Sequence, residues 1–235
     1  MSTDRARASR RRLAPLLLLA ACGQAPAPAQ HFPAVHRPVA SIVGPRYSTE
    51  AQRETVGEAK LVMDRAGTRA GMSVADIGAG EGYYTVKLAK RVGKHGRVLA
   101  EDILPDVRDA LAERVTREAL DNVSVKLGEP ADPKLPAASF DQIYLVHMYH
   151  EIQSPYEFLW RTRPALRPGG RLVIVDADRP TDHHGTPPAE LDCELRAVGY
   201  ALDKREMLKP LGAYVALYWA DGPLPAPEAI KPCAA

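Results

Sequence analysis

The stretch Val74-Ala75-Asp76-Ile77-Gly78-Ala79-Gly80-Glu81-Gly82-Tyr83-Tyr84-Thr85 constrains the fold of this chain more than any other. Three glycines follow directly on an apolar run, and Tyr84, Leu88 and Val92 then recur at the four-residue spacing of a helix face. A buried strand that turns sharply into a helix needs residues free to take positive φ. Glycine supplies that freedom and lets a ligand approach with no side chain in the way. One reading is a dinucleotide loop of the pattern G-x-G-x-x-G. Its third position requires a small residue, because helix and strand pack closely there, and Tyr83 occupies it. Asp76 also sets a negative charge beside a loop that would have to receive a pyrophosphate. A nicotinamide-dependent dehydrogenase is therefore disfavoured.

Beyond this loop, apolar runs alternate with helical periods, the pattern of an α/β domain with a mostly parallel sheet. A first helix is expected from Thr49, with Gln52 as capping-box partner, to Gly67. Strands are expected at Ser73–Ile77, Arg97–Glu101, Asn122–Lys126, Phe140–His147, Leu172–Val175 and Tyr214–Trp219. Helices between them carry one-sided apolar positions, such as Val107, Leu111 and Val115 after Pro105, and Leu191, Leu195 and Val198 after Pro187-Pro188. The alternation fills residues 48–220 and leaves no boundary for a second domain.

Four segments in this body resemble, in order, the motifs of class I S-adenosylmethionine (SAM)-dependent methyltransferases. Asp76–Gly82 is similar to the first motif, and Val98–Ile103 to the second strand ending in an acid, with Asp102 standing 20 residues after Gly82. Phe140–Val146 resembles the fourth-strand motif and Leu166–Leu172 the turn into the fifth strand. The resemblance implies a Rossmann-like seven-stranded sheet with helices on both faces and its last strand antiparallel. It also implies SAM as cofactor, with Gly78, Gly80 and Gly82 under its methionine and ribose. Asp102 would accept from the ribose hydroxyls, with Glu101 as competitor, and Asp76 would hold the glycine turn and favour the ligand ammonium. Asp132, in Gly128-Glu129-Pro130-Ala131-Asp132, is the residue expected at the adenine amino group, with Glu129 in the other acidic slot.

The amino terminus is of a different kind. Arg5, Arg7, Arg10, Arg11 and Arg12 precede the apolar run Leu13–Ala21, whose nine residues fall short of the roughly 20 that span a bilayer. This reads as an export signal over residues 1–21. Its end, Leu19-Ala20-Ala21-Cys22, resembles the lipobox of bacterial lipoproteins, which implies cleavage before a lipidated Cys22 and attachment at the cell envelope, the outer membrane ahead of the inner. Ser9–Leu13 also matches most of a twin-arginine signal. Residues 22–47 carry Pro26, Pro28, Pro33, Pro38 and Pro45 and read as a tether, and residues 221–235 as an irregular tail. With Cys22 lipidated, Cys193 and Cys233 are the only cysteines left to pair. Lys and Arg outnumber Asp and Glu by 31 to 29 in the whole chain, but beyond the export signal 26 basic face 28 acidic residues. So balanced a surface lacks the basic field of a nucleic-acid binder.

Chemistry is expected at the carboxyl edge of the sheet. His150, in His147-Met148-Tyr149-His150-Glu151-Ile152, is the candidate general base, with an orienting role as the plainer alternative. Asp176, Asp178, Asp182, His183 and His184 show no zinc spacing and read as a polar loop closing one side of a pocket, with no metal expected. Tyr149, Tyr156, Trp160 and Tyr200 could line that pocket or pack the core. The reading is a lipid-anchored methyltransferase acting on a small-molecule acceptor; a non-catalytic ligand-binding lipoprotein of the same fold is the alternative.

Overall fold

The computed structural model describes residues 30–42 and 49–234. The export signal and Cys22 lie outside them. The body opens with α1 (Glu50–Thr55), started by the expected capping box: Gln52 N–H donates to Thr49 Oγ1 and Thr49 N–H to Gln52 Oε1. The single helix expected up to Gly67 is instead two. The chain breaks at Gly57, left-handed with φ 63°, before α2 (Glu58–Ala66). A glycine takes that conformation without the Cβ clash that would keep another residue helical.

Then follow β1 (Ser73–Ile77), α3 (Tyr83–Val92), β2 (Arg97–Asp102), α4 (Pro105–Arg117), β3 (Val123–Leu127), β4 (Phe140–Val146), α5 (Pro155–Thr162), β5 (Leu166–Ala177), α6 (Pro188–Ala197), β6 (Tyr200–Leu208) and β7 (Ala213–Ala220). They form one sheet in the order β3-β2-β1-β4-β5-β7-β6. The first five strands pair in parallel, while β7 runs antiparallel to both β5 and β6. This is the Rossmann-like seven-stranded fold that the motifs imply. The strand missing from the sequence-based set is β6. Its centre, Asp203-Lys204-Arg205-Glu206, reads as a solvated segment, and charges of this kind are what protect an edge strand from pairing with another chain.

Alternate residues of the central strands face two cores. Val74, Val98, Tyr144, Val173 and Val175 pack against Val62, Leu88 and Val92 of α2 and α3. Ala75, Ile77, Ile143, Leu145, Leu172 and Ile174 pack against Leu159 of α5 and Leu191 and Leu195 of α6. A parallel strand covered on both faces has to be apolar at successive positions, which is why β4 and β5 read as continuous hydrophobic runs.

Residues 30–42 depart from the expected free tether, because they dock as a strap on the body. Phe32 meets Trp160 edge-to-face with ring centroids 5.6 Å apart, Arg37 pairs with Glu194 of α6, and Ala40 N–H donates to the His150 carbonyl at 3.1 Å. Prolines keep such a segment extended, but these three side chains or amides give it fixed partners. At the other end the tail is pinned: Trp160 Nε1–H donates to the Pro225 carbonyl, Ile230 is buried, and Cys233 is disulfide-bonded to Cys193.

Candidate functional site

A crevice of about 270 Å³ lies at the carboxyl ends of β1, β2 and β4. Strand order reverses between β1 and β4, the place where open α/β sheets take their ligands. Its floor is Gly78, Ala79, Gly80 and Glu81 of the loop after β1, while Gly82, expected under the ligand, caps the start of α3 and is not on the crevice wall. Gly78, Gly80 and Gly82 all have positive φ, 64°, 56° and 88°. A Cβ on Gly78 would meet Met148 at 3.1 Å, and one on Gly82 would run into Leu111, so two of the glycines are required by packing as well as by conformation. Around Gly80 there is open space, and a side chain there would enter the crevice.

The acids around this loop divide the work. Asp76 is buried beneath it and accepts from the Thr85 hydroxyl at 2.6 Å; burial pushes its carboxyl up to about 6. It fastens the start of α3 to β1 and is not part of the crevice wall. Asp102 does line the crevice. It accepts from Gly80 N–H and Leu104 N–H, both at 3.0 Å, and so fixes the glycine loop against the start of α4. Glu101, its neighbour, also reaches the crevice. Burial, reinforced by the charge of Asp102, pushes the Glu101 carboxyl up to about 8, and its Oε1 is buried with no hydrogen-bond partner among the described residues. Glycine at 128 is what makes room for it, since a Cβ there would overlap the Glu101 carboxylate.

Asp132 and Glu129 exchange places relative to expectation. The two residues bond to each other through their backbones in a tight turn, Glu129 N–H to the Asp132 carbonyl at 2.9 Å and the reverse at 3.0 Å. That turn leaves Glu129 on the crevice and sends Asp132 to the Lys134 amide, 3.7 Å from Arg161. Three further walls carry no sequence motif: Ile42 from the strap, and Glu50 and Arg53 from α1. Arg53 stands over the rings of Tyr83 and Tyr84 and donates to Glu58. Burial opposes ionisation of Glu58, but hydrogen bonds from His147 and Arg53 hold its carboxyl down at about 2.

The segment after β4 closes the far side. The strand stops at Val146, one residue earlier than expected, because His147 turns left-handed with φ 53° and points Nε2 toward Glu58 at 3.4 Å. His150 sits in a single 3-10 turn, Tyr149–Glu151. It is buried, and its Nδ1 lies 3.0 and 3.1 Å from the two oxygens of Asp176 at the end of β5. Of the polar residues at and beyond the end of β5, His184 reaches the crevice, while Asp176 stands behind His150 and Asp178, Asp182 and His183 are exposed. The four aromatic candidates are not on the crevice wall. Tyr149, Tyr156 and Tyr200 are buried with their hydroxyls bonded to Glu194, Cys233 N–H and the Leu159 carbonyl, and Trp160 packs on Phe32.

Residues 75–174 match the family model described as a methyltransferase domain. Among curated relatives, nocamycin O-methyltransferase of Saccharothrix syringae is 38% identical over 117 residues, covering 50% of this chain and 42% of that protein. The ubiquinone/menaquinone biosynthesis C-methyltransferase UbiE of Hahella chejuensis is 30% identical over 129 residues, covering 52% and 50%. The chain thus spans about half the length of the curated relatives it matches. Among solved structures, a SAM dependent methyltransferase from Aquifex aeolicus superposes with a TM-score of 0.66 at 24% identity, covering 71% of this chain and 92% of that one. The fold is that of class I methyltransferases, and family match and fold together support SAM as the cofactor.

Proposed function

We propose that this chain is a SAM-dependent methyltransferase that acts on a small-molecule acceptor and is held at the bacterial envelope by a lipid on Cys22. The observation that carries the reading is the set of acceptors around the crevice. SAM presents a sulfonium, an ammonium, two ribose hydroxyls and an adenine amino group, which are cationic or hydrogen-bond donating, and a single carboxylate. The crevice answers with the carboxylates of Glu50, Glu81, Asp102, Glu129 and Glu151, with the carboxyl of Glu101, which burial pushes toward its protonated form, and with one guanidinium, Arg53. The same wall repels a pyrophosphate, which argues against a dinucleotide independently of Tyr83. The glycine floor leaves space at Gly80.

Bound SAM supplies an already activated methyl group. The chain's own residues then have to align the acceptor and exclude water. Asp102 and Glu101 are proposed to take the ribose hydroxyls, and Glu129, in place of Asp132, the adenine amino group. Asp76 keeps the loop in shape. His150, its ring oriented by Asp176, stands on the acceptor side, where Met148, Ile152 and Phe158 add apolar wall. In calorimetry the mature chain should bind SAM or its demethylated product and ignore NAD. Asp102→Ala should weaken SAM binding by about 1.5–3 kcal/mol, the range for a hydrogen bond to a charged group. Preference for NAD, or an Asp102→Ala variant that binds SAM as tightly as the parent, would refute the assignment.

The envelope location rests on the signal of residues 1–22, and the Cys193–Cys233 bridge is in keeping with an oxidising compartment. SAM is made inside the cell and its fixed charge makes leakage across a bilayer costly. Either folded export, which the Ser9–Leu13 match favours, carries it out or it is supplied outside; a ligand-binding lipoprotein without turnover is the alternative that this tension favours. Cys22→Ser should leave an unprocessed precursor without lipid. Wild-type protein recovered from cytoplasm with Met1 intact would overturn the anchoring.

A further inference from the structure

The acceptor side of the crevice brings together three groups from two loops that sequence spacing does not connect. His150 and Glu151 belong to the turn after β4, and His184 to the loop after β5, the next strand in the sheet. One ligand atom from each, two imidazole nitrogens and a carboxylate oxygen, lies within 4.8 Å of the others, and all three residues line the crevice. We propose that His150, Glu151 and His184 bind one divalent transition-metal ion of the zinc class in the crevice wall.

Three observations support this beyond proximity. First, His150 is oriented as a metal-binding histidine is. Its Nδ1 is held by the Asp176 carboxylate, which leaves Nε2 as the ligating nitrogen, and a carboxylate behind the ring raises the basicity of that nitrogen. Asp176 is itself fixed, accepting from the Thr186 hydroxyl at 2.7 Å and the Ala177 amide at 2.8 Å. Second, His184 is held by backbone that a histidine seldom adopts. Its φ is 57°, its carbonyl accepts from Arg179 Nε at 3.0 Å, and its ring meets the His150 ring edge-on at 5.4 Å between centroids. Strain of this kind persists where the surrounding structure fixes a side chain in place. Third, the donor set is discriminating. Two imidazoles and one carboxylate suit zinc or iron(II), whereas magnesium and calcium prefer oxygen ligands. Zinc–ligand bonds of about 2.0–2.2 Å put neighbouring ligand atoms roughly 3–4 Å apart, so closing around an ion asks for a contraction of at most roughly 1–2 Å.

Three protein ligands leave a tetrahedral ion one open position, facing the crevice. An acceptor carrying a hydroxyl or carboxylate oxygen fits it, and coordination would lower the proton affinity of that oxygen. This assignment of substrate class rests on the methyltransferase reading, whereas metal binding itself does not.

The test uses the mature full chain, stripped with a chelator and titrated with zinc chloride in the absence of SAM, with metal content read by mass spectrometry and cobalt(II) as an optical probe. One equivalent should bind, with the d–d absorption of a low-coordinate cobalt site. His184→Ala and Glu151→Gln should each weaken zinc binding by at least about tenfold, and Asp176→Asn by about 10–100-fold. His183→Ala, on an exposed neighbour outside the crevice, should leave it unchanged. Circular dichroism and SAM calorimetry on each variant report folding and the cofactor end separately. Retained SAM binding with no zinc uptake would overturn the metal site and leave the proposed function standing; zinc uptake without SAM binding would do the reverse. Zinc binding insensitive to both His184→Ala and Glu151→Gln, or weakened equally by His183→Ala, would also overturn the site.

Discussion

Replacing Glu194 by alanine is expected to destabilise the fold by about 3–5 kcal/mol, the usual cost of removing one partner of a buried ion pair. Glu194 and Arg37 have side chains only 1% and 3% exposed, with Arg37 Nε 2.9 Å from Glu194 Oε1. The same carboxylate accepts from the Tyr149 hydroxyl at 2.6 Å. Without it a buried guanidinium keeps the Pro38 carbonyl at 3.3 Å and, among the carboxylates of the described residues, Glu190 at 4.0 Å, and a fully buried phenol loses its acceptor. The desolvation already incurred by both groups then goes uncompensated. For a domain of this size the melting temperature should fall by roughly 6–20 °C. Replacing the pair together, Arg37→Met with Glu194→Leu, should be far milder, because an apolar pair leaves no charge behind. The consequence reaches the crevice, since Arg37 fastens the strap whose Ala40 holds the His150 carbonyl and whose Ile42 forms part of the wall. A Glu194→Ala variant melting within about 2 °C of the parent would mean that the strap does not dock in solution.

The docked strap also marks the limit of what sequence reading could reach. Strands β1, β2, β4, β5 and β7 were legible because doubly covered strands must be apolar residue after residue. The glycine loop was legible because positive φ and close packing leave few residue choices at 78 and 82. Local rules served for the Thr49 capping box and for Pro105 at the start of α4. Where an answer depends on partners distant in the chain, local signals failed. Arg37, among prolines, looks like part of a linker until α6 supplies Glu194. β6 looks solvated until β7 pairs with it. Asp132 and Glu129 could be ranked only by a turn whose hydrogen bonds send one inward and the other out. His150 and His184 meet because β4 and β5 are neighbours in the sheet, a fact of topology that no spacing encodes.

The last expectation concerns the bridge between Cys193 and Cys233. It joins α6 to the tail across a separation of 40 residues, a loop whose closure in the unfolded chain is worth about 4 kcal/mol in the chain-entropy picture. Native contacts beside it hold the tail in the folded state alone. Cys233 N–H donates to the Tyr156 hydroxyl at 2.8 Å, Arg163 donates to the carbonyls of Asp221 and Gly222, and Ile230 is buried against the core. Reduction, or the double replacement Cys193→Ala with Cys233→Ala, should therefore leave the fold intact and cost about 2–4 kcal/mol, lowering the melting temperature by roughly 4–16 °C. The glycine loop and the acids of the crevice lie on other elements, so SAM binding by the reduced protein below its melting point should match that of the oxidised form. Because a reducing cytosol keeps such thiols apart, protein recovered from the envelope should carry the bridge, and the same chain retained inside the cell, with Cys22 unlipidated, should yield three free thiols on denaturation. Two titratable thiols in the envelope form, or a melting temperature indifferent to reductant, would show that the pair is not closed and would remove the support it lends to export.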